Sequence, residues 1–490
     1  MLDKINIIWA DDEIELLNSH ILFLEDKNFN ITAATSGEEA IDLFRKNKYD
    51  LVLLDEMMSG IDGIETLRKI KEISPSTPII MITKNEEEWL MDEAIASQIS
   101  DYLIKPVNPN QIFLSCKKIL SSDKIKSDRI IKDFLDSYNL IKSEINDNND
   151  ILNWFKLIDT VIDWEVRLEG LDTDSVAYFL SDLKLELNKN FTNFIEKSYS
   201  DLVQSKFFPN SILSEYVKPL INKNEKVALI VLDCLRYDQG KVIIESLFEN
   251  FEVDIKPSLS FLPTTTEYSR NSIFSGLFPD AMISKYPKQE EDLKTDSHSL
   301  NRHEKEFLID NLKRLNLSHK SCHYHKIWAV NEGNKFLNRV KDFSKQDILA
   351  MVVNFVDILA HKSSQMDVLR EMVPNESGYR IAVKAWFENS WLFQVLKYLS
   401  EMGWSIVLTS DHGSIKVKND VLVLADRDAS TGVRYKYGRN LNTNIKNALI
   451  IKDPDRYRLP SLGPQPSYII AKNENYFVYP NEAHKFQSKF

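Results

Sequence analysis

The chain of 490 residues carries 61 Lys and Arg against 73 Asp and Glu, a net charge of −12, and an ordinary 43% hydrophobic share. That balance excludes wholesale disorder and offers no basic face of the kind nucleic-acid binders use, so no DNA-binding domain is expected. The length accommodates about two to four domains with ordinary cores.

Cys116, Cys234 and Cys322 lie far apart and match no zinc-finger spacing, which fits a reducing compartment. The first apolar run, Ile5 to Ala10, is cut short by Asp11, Asp12 and Glu13 and does not read as a signal peptide. No apolar stretch approaches the roughly 20 residues that span a bilayer. A cytoplasmic protein without a membrane span is expected.

Residues 1–120 alternate short apolar runs with helix-like segments. The runs are Ile5–Ala10, Thr32–Ala34, Leu51–Leu54, Ile79–Ile82 and Tyr102–Ile104. Strands alternating with helices predict a parallel sheet covered on both faces. Asp11 and Asp12 end the first strand, Asp55 the third and Thr83 the fourth, and Lys105 follows the fifth. The carboxyl ends of such strands converge on one crevice. That crevice holds carboxylates, a hydroxyl and an ammonium. Mg²⁺ favours oxygen ligands of this kind, an aspartate beside it can attack a phosphoryl group, and the lysine can stabilise the acquired charge. Alone, any of these residues is ordinarily a solvated loop residue; the ordered set is hard to explain structurally.

This stretch resembles the response-regulator receiver domain, which implies a flavodoxin-like fold. By that resemblance Asp55 is the phosphorylated aspartate. Asp11 and Asp12 are the metal-binding acidic pair for Mg²⁺, and the backbone carbonyl of Met57 is a further ligand. Thr83 and Lys105 match the switch hydroxyl and the lysine, and Tyr102 the aromatic switch, although core packing equally suits that tyrosine. Lys84 departs from the small residue common after the switch hydroxyl.

Residues 121–220 change character, with Gly170 the only glycine and no proline between Pro109 and Pro209. Ile131, Phe134, Leu135, Tyr138, Ile141 and Ile145 share one helical face. A second helix is expected over Ile151–Leu168, and Asp172-Thr173-Asp174 can cap a third, with Asn146 to Asp150 a polar break. A central helical bundle is predicted.

Residues 221–490 return to α/β alternation, with strands expected at Val227–Leu232, Met351–Val356 and Ser405–Thr409 and weaker ones near 421–424 and 467–471. The polar stretch 279–345 reads as an insertion or cap over the sheet. Asp233, Asp357 and Asp411 each follow an apolar run; His412 adjoins Asp411, and His361 lies one helical turn after Asp357. Aspartate and histidine together suit Zn²⁺ or Mn²⁺, and a pair of ions clamps the two oxygens of a phosphoryl transfer. Thr264, Thr265 and Thr266 precede a helix-like segment whose free N–H groups suit phosphate. Threonines there are usually caps.

These residues resemble the PglZ-like branch of the alkaline phosphatase superfamily, which implies an α/β/α fold. The resemblance makes Thr266 the nucleophile, with Thr264 and Thr265 as register alternatives. It makes Asp233, Thr266, Asp411 and His412 ligands of one Zn²⁺, and Asp357 and His361 ligands of a second. The family completes the second site with a C-terminal histidine in a His-Gly context. After His412 the remaining histidine is His484, followed by Lys485. Either His484 substitutes, or the site is incomplete, or the natural protein continues beyond Phe490, which is the favoured expectation. A threonine in place of the sulfatase Cys/Ser motif favours phosphate esters, and phosphodiesters by family analogy.

Other polar residues are weighed against these. Cys322-His323-Tyr324-His325 with His319, and His298 and His303, are expected at the surface or lining substrate. Trp386 and Trp391 are expected in a helical core. Arg270 and Lys362 either contact phosphate or are solvated.

Three segments result: residues 1–120, 121–220 and 221–490. In this order they resemble the PorX-type response regulators of Bacteroidetes. The resemblance implies a cognate histidine kinase, a homodimer formed on phosphorylation, zinc, and hydrolysis of oligonucleotide or cyclic nucleotide phosphodiesters. It also implies contact with type IX secretion machinery or a sigma factor. The alternative is a phosphorylation-controlled dimerising scaffold with weak or no hydrolase activity.

Overall fold

The computed structural model describes residues 4–84, 99–146, 148–169, 171, 174–287, 301–363, 366–426, 430, 432–461 and 467–480. They form two compact units, one built around residues 1–137 and the other from 138–169 together with the chain from 177 onward.

In the first unit, β1 (Ile5–Ala10), β2 (Phe29–Ala34), β3 (Leu51–Asp55), β4 (Ile79–Thr83) and β5 (Asp101–Ile104) make a parallel sheet in the order β2-β1-β3-β4-β5. This is the doubly wound order, with its switch point between β1 and β3. Alternation along the strands feeds both faces. Ile8, Ala10, Val52, Leu54 and Met81 pack on α2 (Gly37–Lys46) and α3 (Gly63–Ile73). Ile7, Trp9, Leu51, Leu53 and Ile80 meet Leu24 of α1 (Asn18–Asp26) and Ile112 and Cys116 of α4 (Pro109–Asn146). Ser36 and Asp62 cap α2 and α3 by accepting from Glu39 and Glu65 N–H at 3.2 and 2.7 Å. Gly63 is dictated by close approach, since a Cβ there would sit 2.2 Å from the Asp55 carbonyl oxygen.

In the second unit, β6 (Lys226–Leu232), β7 (Cys322–Ile327), β8 (Ile348–Val353) and β9 (Trp404–Thr409) form a parallel sheet ordered β7-β8-β6-β9. Ala228, Ile230 and Leu232 face a core with α7 (Tyr237–Ile244), α11 (Glu376–Glu388) and α12 (Trp391–Glu401). Val227, Leu229 and Val231 face α8 (Thr266–Ser275) and α9 (Glu304–Arg314). Trp391 is in the first of these cores and Trp386 packs against it, as expected. Two small sheets follow, β10 (Asn419–Leu422) with β14 (Asn475–Val478), and β11 (Tyr435–Gly438), β13 (Ser467–Ala471) and β12 (Ala448–Ile451).

The structure corrects the reading of 279–345 as an insertion. β7 is an edge strand of the main sheet, and Phe307, Leu308 and Leu312 of α9 are core residues. The polar run on β7 is also not a loose surface cluster. His323 and His325 lie against Phe343 and Phe336, with ring centroids 4.5 and 5.0 Å apart, while Tyr324 points to the opposite face and its hydroxyl donates to Glu304. Amphipathic side chains at a sheet edge hide the apolar alternation that marks an interior strand.

α4 continues to Asn146, past the compositional boundary near 120, and α5 (Ile151–Leu168) and α6 (Asp174–Leu202) follow. Of the expected apolar face, Phe134, Ile141 and Ile145 are buried, whereas Leu135 is exposed. Asp172 and Thr173 lie outside the described residues. α5 and α6 pack within the second unit. Tyr199 of α6 joins the core of Phe261, Tyr268 and Tyr468, and its hydroxyl accepts from Leu262 N–H at 2.9 Å. Tyr237 donates to Asp159 of α5 at 2.8 Å.

At the centre of this junction lies Arg380, 2% exposed. It donates to Asp238 at 2.8 Å, Glu169 at 2.8 Å and Glu165 at 3.1 Å. Removing one partner of a buried ionic network leaves uncompensated charge and costs about 3–5 kcal/mol. Arg380→Met is therefore expected to lower stability by about 3 kcal/mol, read as a lower urea midpoint by tryptophan fluorescence. A midpoint unchanged from that of the unsubstituted chain would contradict a stabilising role for the network. Among the described residues no helix is long and apolar enough to cross a membrane.

Candidate functional site

The main site forms where β6 and β9 end and α8 begins. Asp233 follows β6, Asp411 and His412 follow β9, and Thr266 opens α8 at the rim of the same sheet. Ligand atoms of Asp233, Asp411 and His412 all lie within 4.8 Å of one another. Thr266 Oγ1 is 2.8 Å from His412 Nε2. Thr266 is thus the threonine of the run whose hydroxyl reaches this cluster; Thr265 is the cap residue of α8.

Each carboxylate has one oxygen committed and one left over. Asp233 Oδ2 accepts from Asn354 Nδ2 at 2.8 Å and from Arg270. Asp411 Oδ1 accepts from the N–H of Cys234 at 3.2 Å and of His412 at 2.9 Å. Asp233 Oδ1 and Asp411 Oδ2 are buried with no hydrogen-bond partner. Buried orphan oxygens are costly and ask for a cation. The His412 ring pairs through Nδ1 with the Gly413 carbonyl at 2.9 Å, so a neutral ring presents the Nε2 lone pair to the same space. Two carboxylate oxygens, an imidazole nitrogen and the Thr266 hydroxyl fit a four-coordinate Zn²⁺ or Mn²⁺, the threonine position being that of the group to be activated.

The electrostatics agree. Burial, then the charge of Asp411, raises the Asp233 carboxyl well above the carboxylate range. Burial works against Asp411 too, but His412 and Arg270 outweigh it and hold that carboxyl low. Asp411 likewise lifts His412 far above an ordinary imidazole despite burial. Two carboxylates this close cannot both stay ionised without positive charge between them.

Asp357 and His361 occupy α10 (Phe355–Ser363), one turn apart, with His361 Nε2 3.4 Å from Asp357 Oδ1. That bond to Asp357 raises His361. The pair follows β8 at the same end of the sheet, yet it is not among the atoms clustered around Asp233. His484 and His298 lie outside the described residues.

The first unit carries a separate pocket. Oxygens of Asp11, Asp12 and Asp55 lie within 4.8 Å of one another, an all-oxygen set suited to Mg²⁺. Lys105 Nζ bridges Asp11 at 3.0 Å and Asp55 at 2.9 Å. Burial raises the Asp55 carboxyl even against Lys105. The Lys105 ammonium is raised because its bonds to Asp55 and Asp11 outweigh burial. Thr83 donates to Glu56, a neighbour of Asp55 that the sequence reading did not single out. Tyr102 is 42% exposed, so core packing does not account for it. The Met57 side chain is exposed, while its N–H donates to Asp55.

Arg270, weighed as solvated or phosphate-binding, is fully buried and paired with Asp233 and Glu304. Asn354, Glu304 and Lys326 were not anticipated. Asn354 directly follows β8, a strand-end position like that of Asp233, and that was the available signal.

Comparison with known proteins bears on each segment. A family model described as the BREX system PglZ alkaline phosphatase-like domain matches residues 212–487, more than half of the chain. The response regulator receiver domain matches residues 7–117, and the PorX response regulator linker domain matches 124–203. Among curated proteins, the transcriptional regulatory protein ResD of Bacillus subtilis is 38% identical over 118 residues, 24% of this chain and 49% of its own length. SrrA of Staphylococcus aureus is 37% identical over 114 residues, covering 23% of this chain and 47% of that protein. The chain spans about half the length of these curated relatives. A two-component response regulator from Clostridium difficile is 33% identical, with 24% of this chain and 96% of that one covered at a TM-score of 0.23. Chemotaxis protein CheY4 of Vibrio cholerae is 24% identical, with 24% and 98% covered, at a TM-score of 0.23.

Proposed function

The chain belongs to the PglZ alkaline phosphatase-like family and has the receiver, linker and PglZ order of PorX-type response regulators; from that premise we propose a phosphorylation-responsive, zinc-dependent phosphodiesterase. The observation that carries this reading is the pair of orphan oxygens on Asp233 and Asp411, facing His412 with Thr266 alongside.

A bound zinc ion would lower the pKa of the Thr266 hydroxyl and offset charge on the phosphate. Thr266 attacks phosphorus, and the bond to the leaving alkoxide breaks. The proton that Thr266 loses is balanced by the one the alkoxide gains. Water then attacks the phosphothreonine, releasing a phosphomonoester and restoring the hydroxyl. The N–H groups at the start of α8 face the transferring phosphoryl group and favour its charge. Asp357 and His361 are the side chains that would hold a second metal, with His484 as a further candidate ligand, and that ion would offset charge on the leaving oxygen.

In the receiver, a cognate kinase phosphorylates Asp55; Asp11, Asp12 and the Met57 carbonyl would hold Mg²⁺, which would offset charge on the phosphoryl group. Thr83, Tyr102 and Lys105 read the phosphoryl group. Dimerisation on phosphorylation, a nucleotide substrate, a cytoplasmic location and a role in type IX secretion or with a sigma factor complete the proposal, on the strength of the PorX-type domain order.

Metal removal tests the reading. Chelator-stripped protein is expected to hydrolyse bis-p-nitrophenyl phosphate at no more than about 1% of the zinc-reloaded rate. Chelator-insensitive turnover, or silence after reloading with zinc and manganese, would overturn it.

A further inference from the structure

We infer that Arg270 is a positioning residue for the metal centre, locking Asp233 so that one chosen oxygen faces the ion. The inference rests on the reading of Asp233, Asp411 and His412 as metal ligands.

Arg270 lies on α8 one turn after Thr266, so both side chains project from the same face of that helix. It is 1% exposed, and its guanidinium is divided between two carboxylates. Nε donates to Glu304 at 2.6 Å, and one terminal nitrogen donates to Asp233 Oδ2. The same nitrogen is 3.9 Å from Asp411 Oδ2, the second orphan oxygen.

The terminal torsion of an aspartate is broad and roughly two-fold, so a free Asp233 would offer either oxygen. With Oδ2 taken by Arg270 and by Asn354 at 2.8 Å, Oδ1 is the atom left facing His412 Nε2, 3.6 Å away. The arginine is itself held. Glu304 is 1% exposed, lies 3.2 Å from Lys326 Nζ and accepts from the Tyr324 hydroxyl. Positive and negative charges thus alternate from Asp233 through Arg270 and Glu304 to Lys326, so the arginine and its glutamate each have an opposite charge on either side. A planar fork that satisfies two carboxylates in fixed directions is an arginine property, and lysine reproduces it only in part.

Residues that orient metal ligands typically contribute roughly 10–100-fold in metal affinity. The test is zinc affinity by competition with a chromophoric chelator, on the full chain and its Arg270→Met, Arg270→Lys and Asp233→Asn variants. Cobalt-substituted protein adds a visible spectrum that reports ligand geometry. Arg270→Met is expected to bind zinc roughly 10–100-fold more weakly, with an altered cobalt spectrum, Arg270→Lys in between and Asp233→Asn weakest. Should Arg270→Met fail to fold, the double variant Arg270→Met, Glu304→Gln removes both buried charges and takes its place. Wild-type affinity and an unchanged cobalt spectrum in the arginine variant would overturn the inference while leaving the metal site standing. No zinc bound by the unsubstituted chain would overturn the metal site itself.

Discussion

Thr266→Ala is expected to lower phosphodiester turnover by about 10³-fold or more, at zinc occupancy close to that of the unsubstituted protein. The asymmetry follows from the geometry. Two carboxylate oxygens and the His412 nitrogen remain to hold the ion, whereas the hydroxyl 2.8 Å from that nitrogen is lost. Among the hydroxyls of this helix start it is Thr266 Oγ1 that contacts His412 Nε2, whereas that of Ser269 pairs with Ser260 at 2.9 Å. The check pairs initial rates on bis-p-nitrophenyl phosphate with zinc content measured on the same samples. Full turnover by the alanine variant would remove Thr266 from the mechanism. Equal loss of zinc and rate would make it chiefly a ligand.

Asp55→Asn is expected to reduce phosphoryl uptake from acetyl phosphate to background, followed by mobility shift on a phosphate-affinity gel. Asp55 is 4% exposed, and its carboxylate touches Lys105 at 2.9 Å beside the oxygens of Asp11 and Asp12. Asparagine keeps the shape but is neutral and a poor nucleophile. Undiminished uptake would place the phosphoryl group on another residue. Thr83 now donates to Glu56, so a phosphoryl group that recruits the Thr83 hydroxyl must break that bond. Thr83→Ala is accordingly expected to accept phosphate yet give the same chromatographic profile with and without it.

Strand-end residues were the legible part of both sites. Asp11, Asp55, Asp233 and Asp411 each come at or just past the end of a mainly apolar run, and a parallel sheet brings such ends together wherever the strands lie in the order. Thr266 was placed to within a run of threonines, and contact with His412 distinguishes it. Arg270 was not legible, because burial of a charge depends on partners 34 and 37 residues away in the chain. β7 escaped for a related reason: tyrosine, lysine and histidine there bury their stems at a sheet edge, and the pattern reads as polar. The helices of the linker were legible in composition, which does not report what they pack on. The ion pairs of Arg380 with Glu165 and Glu169 tie α5 into the second unit.

The stereochemical course at phosphorus distinguishes a covalent phosphothreonine from direct attack by water. A diester made chiral with sulfur at phosphorus would be turned over by the zinc-loaded chain and the product configuration read by phosphorus NMR. Attack by Thr266 followed by water is two in-line displacements, and net retention is expected. Net inversion would mean a single displacement by water, and would contradict a phosphothreonine intermediate.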